Sequence, residues 1–294
     1  MKAMLLNSIT DLEHNGEPLK MSDIPKPVPS EYDVLLKIQT CGVCHTELDE
    51  IEGRTPPPRF PVVPGHQVVG IVESKGRMVS RFKQGDRVGV AWIFSSCGKC
   101  TFCLSGNENL CSGFIATGRD VNGGYAEFMT VPESFVYKIP EILTSSQAAP
   151  LLCAGAVGYR SLMLSGIKDG GLLGLTGFGA SAHLVLQVVK AMYPLTKIFV
   201  FARSENERAF ARELGAFWTG DSTDKVPDKL DCIIDTTPVW KPVIEGLGNL
   251  KPGGRLVINA IRKEETDKNV LLNLDFSEHL WMEKEIKSVA NVTR

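Results

Sequence analysis

The chain has 294 residues, of which 43 % are apolar and 22 % charged, values near globular averages that exclude a disordered, collagenous or coiled-coil protein and, at this length, predict two domains rather than one. Its 32 basic and 34 acidic residues leave a net charge of −2, which offers no positive excess for displacing counterions from nucleic acid. Its apolar stretches, such as 172–175 and 184–189, fall far below the roughly 20 residues a bilayer crossing requires, so no membrane partner is expected.

Residues 1–9 are mildly apolar and are followed at once by Asp11, Glu13 and His14, without a cleavable signal pattern, so the expected compartment is the cytoplasm. Up to about residue 150, short β-type runs at 34–39, 68–73, 87–93 and 126–131 alternate with Pro and Gly clusters. Pro25, Pro27, Pro29, Pro56, Pro57, Pro58, Pro61 and Pro64 all fall here, where they break helices but suit turns and edge strands. An irregular, mostly β domain is predicted over residues 1–153. From about residue 151 strand and helix alternate: a strand at 171–176, a helix at 181–192, a strand at 197–202, a helix at 205–214, and further strands at 217–219, 230–236, 255–259 and 286–291. Six strands with crossovers predict a doubly wound α/β Rossmann-type domain over residues 154–294. The chain stops at Arg294, just after the last predicted strand and without a closing helix.

Eight cysteines in a long chain with no secretion signal read as metal ligands rather than disulfides. Cys97, Cys100, Cys103 and Cys111 follow the pattern C-x2-C-x2-C-x7-C within a lobe at about 95–113. Four thiolates can close a tetrahedron around Zn²⁺ at about 2.3 Å each, leaving no position for substrate, so this site is predicted to be structural. An iron–sulfur cluster is the rival, but the ferredoxin pattern has a shorter gap and a Pro after its fourth Cys, where this chain has Ser112. Cys44, His66 and Cys153 lie far apart, and no spacing rule joins them. Singly they read as a free thiol, a satisfied imidazole and a small core residue. Together they make a Cys₂His set that would hold a zinc ion with its fourth position open.

In the second half, Gly177-Phe178-Gly179-Ala180-Ser181-Ala182 follows a predicted strand and opens a predicted helix, which is the context the G-x-G-x-x-A dinucleotide fingerprint requires. Two glycines allow the pyrophosphate to approach backbone N–H groups, and Ala182 still permits close helix packing. An NAD site carries Asp or Glu about 20 residues on. Here that position is Ala202, followed by Arg203 and Ser204. With no carboxylate to repel a 2′-phosphate and a guanidinium to pair with one, NADP(H) is favoured. The alternative is that Arg203 is a solvated surface charge and NAD(H) is accepted as well.

The segments 42–46 (Gly-Val-Cys-His-Thr), 64–66 (Pro-Gly-His), 85–88 (Gly-Asp-Arg-Val), the four-cysteine lobe and 152–155 (Leu-Cys-Ala-Gly) occur in the order found in zinc-dependent alcohol dehydrogenases. From end to end the chain resembles that medium-chain dehydrogenase/reductase superfamily. The resemblance implies a GroES-like catalytic domain followed by a Rossmann domain with the active site in the cleft between them, and an assembly of two or four copies. It implies two zinc ions per chain and hydride transfer between a small alcohol, or its aldehyde or ketone, and the nicotinamide. It also implies Thr46 as the first proton relay, His45 near the cofactor phosphates, Arg294 at the pyrophosphate, and Glu47 on the free ring nitrogen of His66. Asp49 stands where many relatives continue the relay through a histidine, and reads equally as a surface carboxylate. Gln67 replaces a common Glu, which weakens any ligand-exchange step. Trp92 matches an aromatic residue that narrows the substrate pocket, or is a core aromatic on the strand at 87–93. Relatives close their catalytic domain with a further C-terminal segment that this chain lacks, so the rival reading is a truncated, non-catalytic relative that binds nucleotide and zinc. The four retained residues Cys44, Thr46, His66 and Cys153 argue for an enzyme.

Overall fold

A computed structural model describes residues 1–294, which divide into two compact units, Met1–Cys153 with Asn291–Arg294, and Ala154–Ala290. The last four residues therefore group with the first unit and not with the second, as the sequence pattern had suggested.

In the first unit, β1 (Lys2–Leu6) and β2 (Leu19–Asp23) form an antiparallel pair. β3 (Asp33–Cys41) leads directly into helix α1 (His45–Ile51). β4 (Val68–Lys75) and β5 (Arg87–Val90) follow, then β6 (Ile93–Ser95), the short helix α2 (Thr101–Leu104) and β7 (Ile115–Ala116). β8 (Phe128–Pro132), β9 (Val136–Lys138) and the single turn α3 (Ser145–Ala148) complete it. Five strands make an antiparallel sheet in the order β8-β3-β4-β5-β9. Val34, Val68, Val69, Val72, Val88, Val90 and Val131 are buried along it, as expected for β-branched residues on a pleated surface. The strand expected at 87–93 breaks after Val90. The carbonyls of Ala91 and Trp92 accept bonds from the Thr117 hydroxyl (2.8 Å) and the Thr117 N–H (2.7 Å), so this backbone leaves the sheet and Trp92 lies between two strands.

The second unit opens with α4 (Ala154–Ser165). It continues through β10 (Leu172–Thr176), α5 (Ala180–Met192), β11 (Lys197–Phe201), α6 (Glu205–Glu213), β12 (Trp218–Gly220), β13 (Leu230–Asp235), α7 (Lys241–Asn249), β14 (Leu250–Ile258) and β15 (Glu285–Ser288). All six strands are parallel in the order β12-β11-β10-β13-β14-β15, the doubly wound topology, with its switch point between β10 and β13. Alternate residues of each strand feed two core layers. Leu173, Leu175, Ile198, Val200, Cys232, Ile234 and Val257 pack with Leu162, Val185, Leu186 and Ala211 from α4, α5 and α6. Phe199, Phe201, Ile233 and Leu256 pack with Val243 and Leu247 of α7. The final crossover to β15 is made by a 3₁₀ turn, Lys268–Asn273, and a π turn, Phe276–Leu280, in place of an α-helix. No helix is long and apolar enough to cross a membrane.

Leu175 has no exposed surface at the centre of the first layer. Leu175→Ala is expected to cost about 2–5 kcal/mol in urea denaturation, the range for a core Leu truncation that leaves a cavity. A cost well below 1 kcal/mol would show that the layer is not packed as described.

Candidate metal and cofactor sites

The antiparallel pairing of β3 with β4 sets Cys41 opposite Val68, and the Gly42 N–H reaches the Gln67 carbonyl at 3.0 Å. Continuing two or three residues past each strand end brings Cys44 and His66 together although 22 positions separate them. Gly65, just before His66, has φ +98°, and a Cβ there would stand 2.6 Å from the Tyr125 ring, so only glycine fits this approach. Cys153 follows the turn Ala149–Leu152, whose Leu152 packs over Gly89 of β5. The three donor atoms lie within 4.8 Å of one another, with His66 Nε2 3.2 Å from Cys153 Sγ and the two sulfurs 3.9 Å apart. Sulfurs about 2.3 Å from one tetrahedral ion stand about 3.8 Å from each other, so these residues fit zinc.

The buried imidazole is oriented from behind. Glu47 Oε1 lies 2.6 Å from His66 Nδ1, and Glu47 Oε2 accepts the N–H of Cys44 at 2.8 Å, so one carboxylate starts α1 and fixes two ligands. A hydrogen bond from Cys153, aided against burial by His66, brings the Cys44 thiol down to about 3, while the Cys153 thiol, which gives that bond, is raised. The Thr46 hydroxyl is buried 3.6 Å from Cys44 Sγ, and His45 is exposed on the first turn of α1. Asp49 is not a surface carboxylate. It is 3 % exposed and its Oδ1 accepts from Arg54 Nε at 2.5 Å. Glu50, one turn beyond Glu47, is 1 % exposed with both oxygens unbonded, and burial pushes its carboxyl up to about 8. No sequence motif marks it. Trp92 sits beside His66, ring centres 6.4 Å apart, with Phe114 packed on its other side at 5.5 Å.

In the lobe, β6 and β7 pair at the base of the loop that carries the four cysteines, whose sulfurs also lie within 4.8 Å of one another. Cys103 Sγ is 3.9 Å from Cys97 Sγ and 3.5 Å from Cys100 Sγ. Backbone N–H groups of Lys99 and Cys100 lower the Cys97 thiol to about 6, and Cys111 Sγ accepts from the N–H groups of Cys97 (3.5 Å) and Gly113 (3.3 Å). This donor set suits a thiolate-bound metal.

The fingerprint loop lies where β10 ends and α5 begins. Gly179 precedes the first turn of that helix with its Cα facing open space, Ala180 is exposed, and Phe178 is buried against Phe210. Ala182 has no exposed surface. At the end of β11, Arg203 is exposed and free of ion pairs, and Ser204 precedes α6. Its neighbour Arg208 gives Nη1 to the carbonyls of Ala202 and Arg203 and Nε to Glu205. Arg294, expected at the pyrophosphate, instead gives its backbone N–H and its Nε to buried Glu108 in the first unit, at 2.7 and 2.9 Å, and lies over the Phe135 ring. A buried carboxylate leaves that guanidinium little freedom to serve a phosphate.

Residues 30–141 match the family model described as the alcohol dehydrogenase GroES-like domain. A Mycobacterium tuberculosis relative that bears the name alcohol dehydrogenase AdhA is 42 % identical over 276 residues, 92 % of this chain and 77 % of that protein. An alcohol dehydrogenase of Geobacillus stearothermophilus is 35 % identical over 86 % of this chain and 77 % of its own length. Among solved structures, a Sinorhizobium meliloti protein described as a zinc-binding dehydrogenase and bound to NADP superimposes with a TM-score of 0.86 at 26 % identity. The match covers 99 % of this chain and 84 % of that one. A Sorghum bicolor cinnamyl alcohol dehydrogenase gives 0.79 at 28 % identity over 99 % and 83 %. The fold and these likenesses define a nicotinamide-linked oxidoreductase with zinc. The chain belongs to the zinc-dependent alcohol dehydrogenases of the medium-chain dehydrogenase/reductase superfamily.

Glu47→Gln keeps the size of the side chain but gives up the charge behind His66. Metal titration of this variant is expected to show about 10–100-fold weaker zinc binding at one site, with the four-cysteine site unchanged. Equal loss at both sites would mean that Glu47 acts on the fold and not on the ligand.

Proposed function

We infer that the chain interconverts a slender primary or secondary alcohol and its aldehyde or ketone, with Cys44, His66 and Cys153 holding a catalytic zinc and Cys97, Cys100, Cys103 and Cys111 a structural one. The observation that carries this reading is the convergence of three donors from distant segments, one of them already held by a carboxylate on its far nitrogen. When bound, zinc supplies Lewis acidity that favours loss of the hydroxyl proton or polarises the carbonyl, and the nicotinamide accepts or gives the hydride.

The chain's own residues supply position and proton traffic. Glu47 holds the His66 tautomer that leaves Nε2 free to ligate. The Thr46 hydroxyl, buried beside Cys44, would be the first relay, accepting the substrate proton as it hands its own onward. We assign the onward step to the exposed His45 rather than to Asp49, because Asp49 is buried and its Oδ1 is occupied by Arg54, which it pins after α1, whereas His45 faces solvent. Trp92 and Phe114 form an aromatic wall next to His66, which favours narrow substrates. The Sorghum relative's name extends the panel to planar aryl alcohols.

NADP(H) is the favoured cofactor over NAD(H). Of the two guanidiniums near the end of β11, Arg208 is tied through Nε and Nη1 to its neighbours, whereas Arg203 has no ion pair and is available for a 2′-phosphate, and the Sinorhizobium neighbour was solved with NADP. Assembly with further copies of the chain is supported by Leu272, Phe276, Trp281 and Ile286, which are exposed near the sheet edge at β15. Cysteines that pair in no disulfide accord with a cytoplasmic location.

Two zinc ions per chain are expected by metal analysis. Cys44→Ala should remove one and lower alcohol oxidation by on the order of 10³-fold, equivalent to several kcal/mol of lost charge stabilisation. Full activity in this variant would misassign the site. Arg203→Ala should raise the KM for NADP⁺ about tenfold and leave that for NAD⁺ unchanged, the effect of one lost charge-assisted contact. Wild-type preference for NAD⁺ would overturn the cofactor assignment.

A further inference from the structure

Beneath the dinucleotide loop of the second unit lies a buried ion pair that the hydride-transfer scheme does not use. Asp235 ends β13 with no exposed surface. Its Oδ1 accepts from the Thr176 hydroxyl at 2.6 Å and the Thr237 hydroxyl at 2.8 Å, and its Oδ2 accepts from Lys263 Nζ. Lys263, whose side chain is only 7 % exposed, also donates to the carbonyls of Thr237 (2.8 Å) and Val239 (2.9 Å). Thr176 is the residue before Gly177. Gly177 has φ +75°, and a Cβ on it would stand 2.9 Å from the Thr236 hydroxyl and 3.0 Å from the Thr237 methyl. The Thr236 N–H and hydroxyl both reach the Thr176 carbonyl at 3.0 Å. The two loops at the β10/β13 switch point are therefore in contact, and Lys263 sits behind that contact.

We propose that Lys263 is a positioning residue for the nicotinamide dinucleotide, holding segment 236–239 against Gly177 and neutralising Asp235 beneath the place where the pyrophosphate approaches. The proposal rests on the assignment of the cofactor to the 177–180 loop. An ammonium has three donors, and here all three are taken, by Asp235 and two carbonyls, so Lys263 has none left for a ligand and acts through the backbone it fixes. Without that ammonium the carboxylate would stand bare in a low-dielectric setting one residue from the fingerprint, where it repels the cofactor's two phosphates. The pyrophosphate is common to NADH and NADPH. Lys263 must therefore serve both cofactors equally, unlike Arg203.

The test is fluorescence titration of the zinc-loaded full chain with NADH and with NADPH. Lys263→Met is expected to raise both dissociation constants tenfold or more by the same factor, with zinc content and the KM for alcohol at saturating cofactor unchanged. Asp235→Asn/Lys263→Met removes the bare carboxylate and protects folding. It should recover part of the affinity while remaining at least threefold weaker than the parent chain, because the two carbonyls still lack their donor. Lys263→Arg, which keeps the charge, should lie closest to the parent. If Lys263→Met fails to fold, the double variant decides, and affinities within twofold of the parent overturn the proposal. An effect confined to NADPH also overturns it, since Lys263 would then be reading the 2′-phosphate. Gly179→Val separates the proposal from the reading beneath it. Its side chain enters open space in the free protein, so the fold is kept and cofactor binding should be lost. Intact binding in Gly179→Val removes the cofactor assignment and Lys263 with it, whereas lost binding there with an unaffected Lys263→Met overturns the Lys263 role alone.

Discussion

The pairing of Cys41 with Val68 is the constraint on which the convergence of Cys44, His66 and Cys153 depends. Side chains alternate across a strand, so a slip of one residue between β3 and β4 would exchange the buried faces that Val68 and Val69 fill and carry His66 away from Cys44. The register is held by the valines buried along both strands and by Gly65, whose left-handed backbone lets the chain pass under Tyr125 immediately before the ligand. Once Cys44 and His66 are side by side, α1 begins at His45, and its first turn brings Glu47 back to bond both the Cys44 N–H and the His66 ring. Helix start and ligand orientation are one interaction. The third ligand is delivered separately by a turn seated on β5, so the triad is fixed by a sheet and is not left to mobile loops.

The two cysteine-rich sites solve opposite problems. The lobe at 95–113 has few apolar residues to bury, and its four sulfurs stand close in sequence, so a metal there would substitute for a hydrophobic core at small loop-closure cost. The triad gathers residues 44, 66 and 153 over a sheet that is already packed, so a metal there is free to serve chemistry and not folding. Phe114 joins the two, since it follows the last lobe cysteine by three residues and packs on Trp92 beside His66. The order of the lobe is thereby felt at the aromatic wall of the site.

What could be read from the sequence was whatever has a local signature. The lobe's cysteine spacing, the valine-rich strands and the glycine loop between a strand and a helix all appear where they were expected. Helix α4 escaped because Gly155 and Gly158 blur its amphipathic face. Gly158 is there for packing, since a Cβ on it would press within 2.8 Å of Val185 on α5. The break after Val90 depends on Thr117, 26 residues away, competing for the Ala91 carbonyl, which no window of the sequence reveals. Arg294 was misplaced for the same reason, because its partner Glu108 is 186 residues distant. Asp49 was ambiguous until the fold showed the guanidinium that holds it.

Buried charge is handled in two ways, and the difference separates scaffold from site. Glu47, Asp49, Glu108 and Asp235 each face a cation or an imidazole, so their charges are balanced locally, and all but Asp49, whose partner Arg54 is near in sequence, tie together separate segments of the chain. Glu50 has no partner, and burial raises its carboxyl to about 8, so at neutral pH it carries a proton and avoids the cost of a bare charge. On a helix that already presents Glu47 beside His66, an additional negative charge would draw on the same positive groups as the Cys44 thiolate. A neutral Glu50 adds no charge beside the two sulfurs and the oriented imidazole.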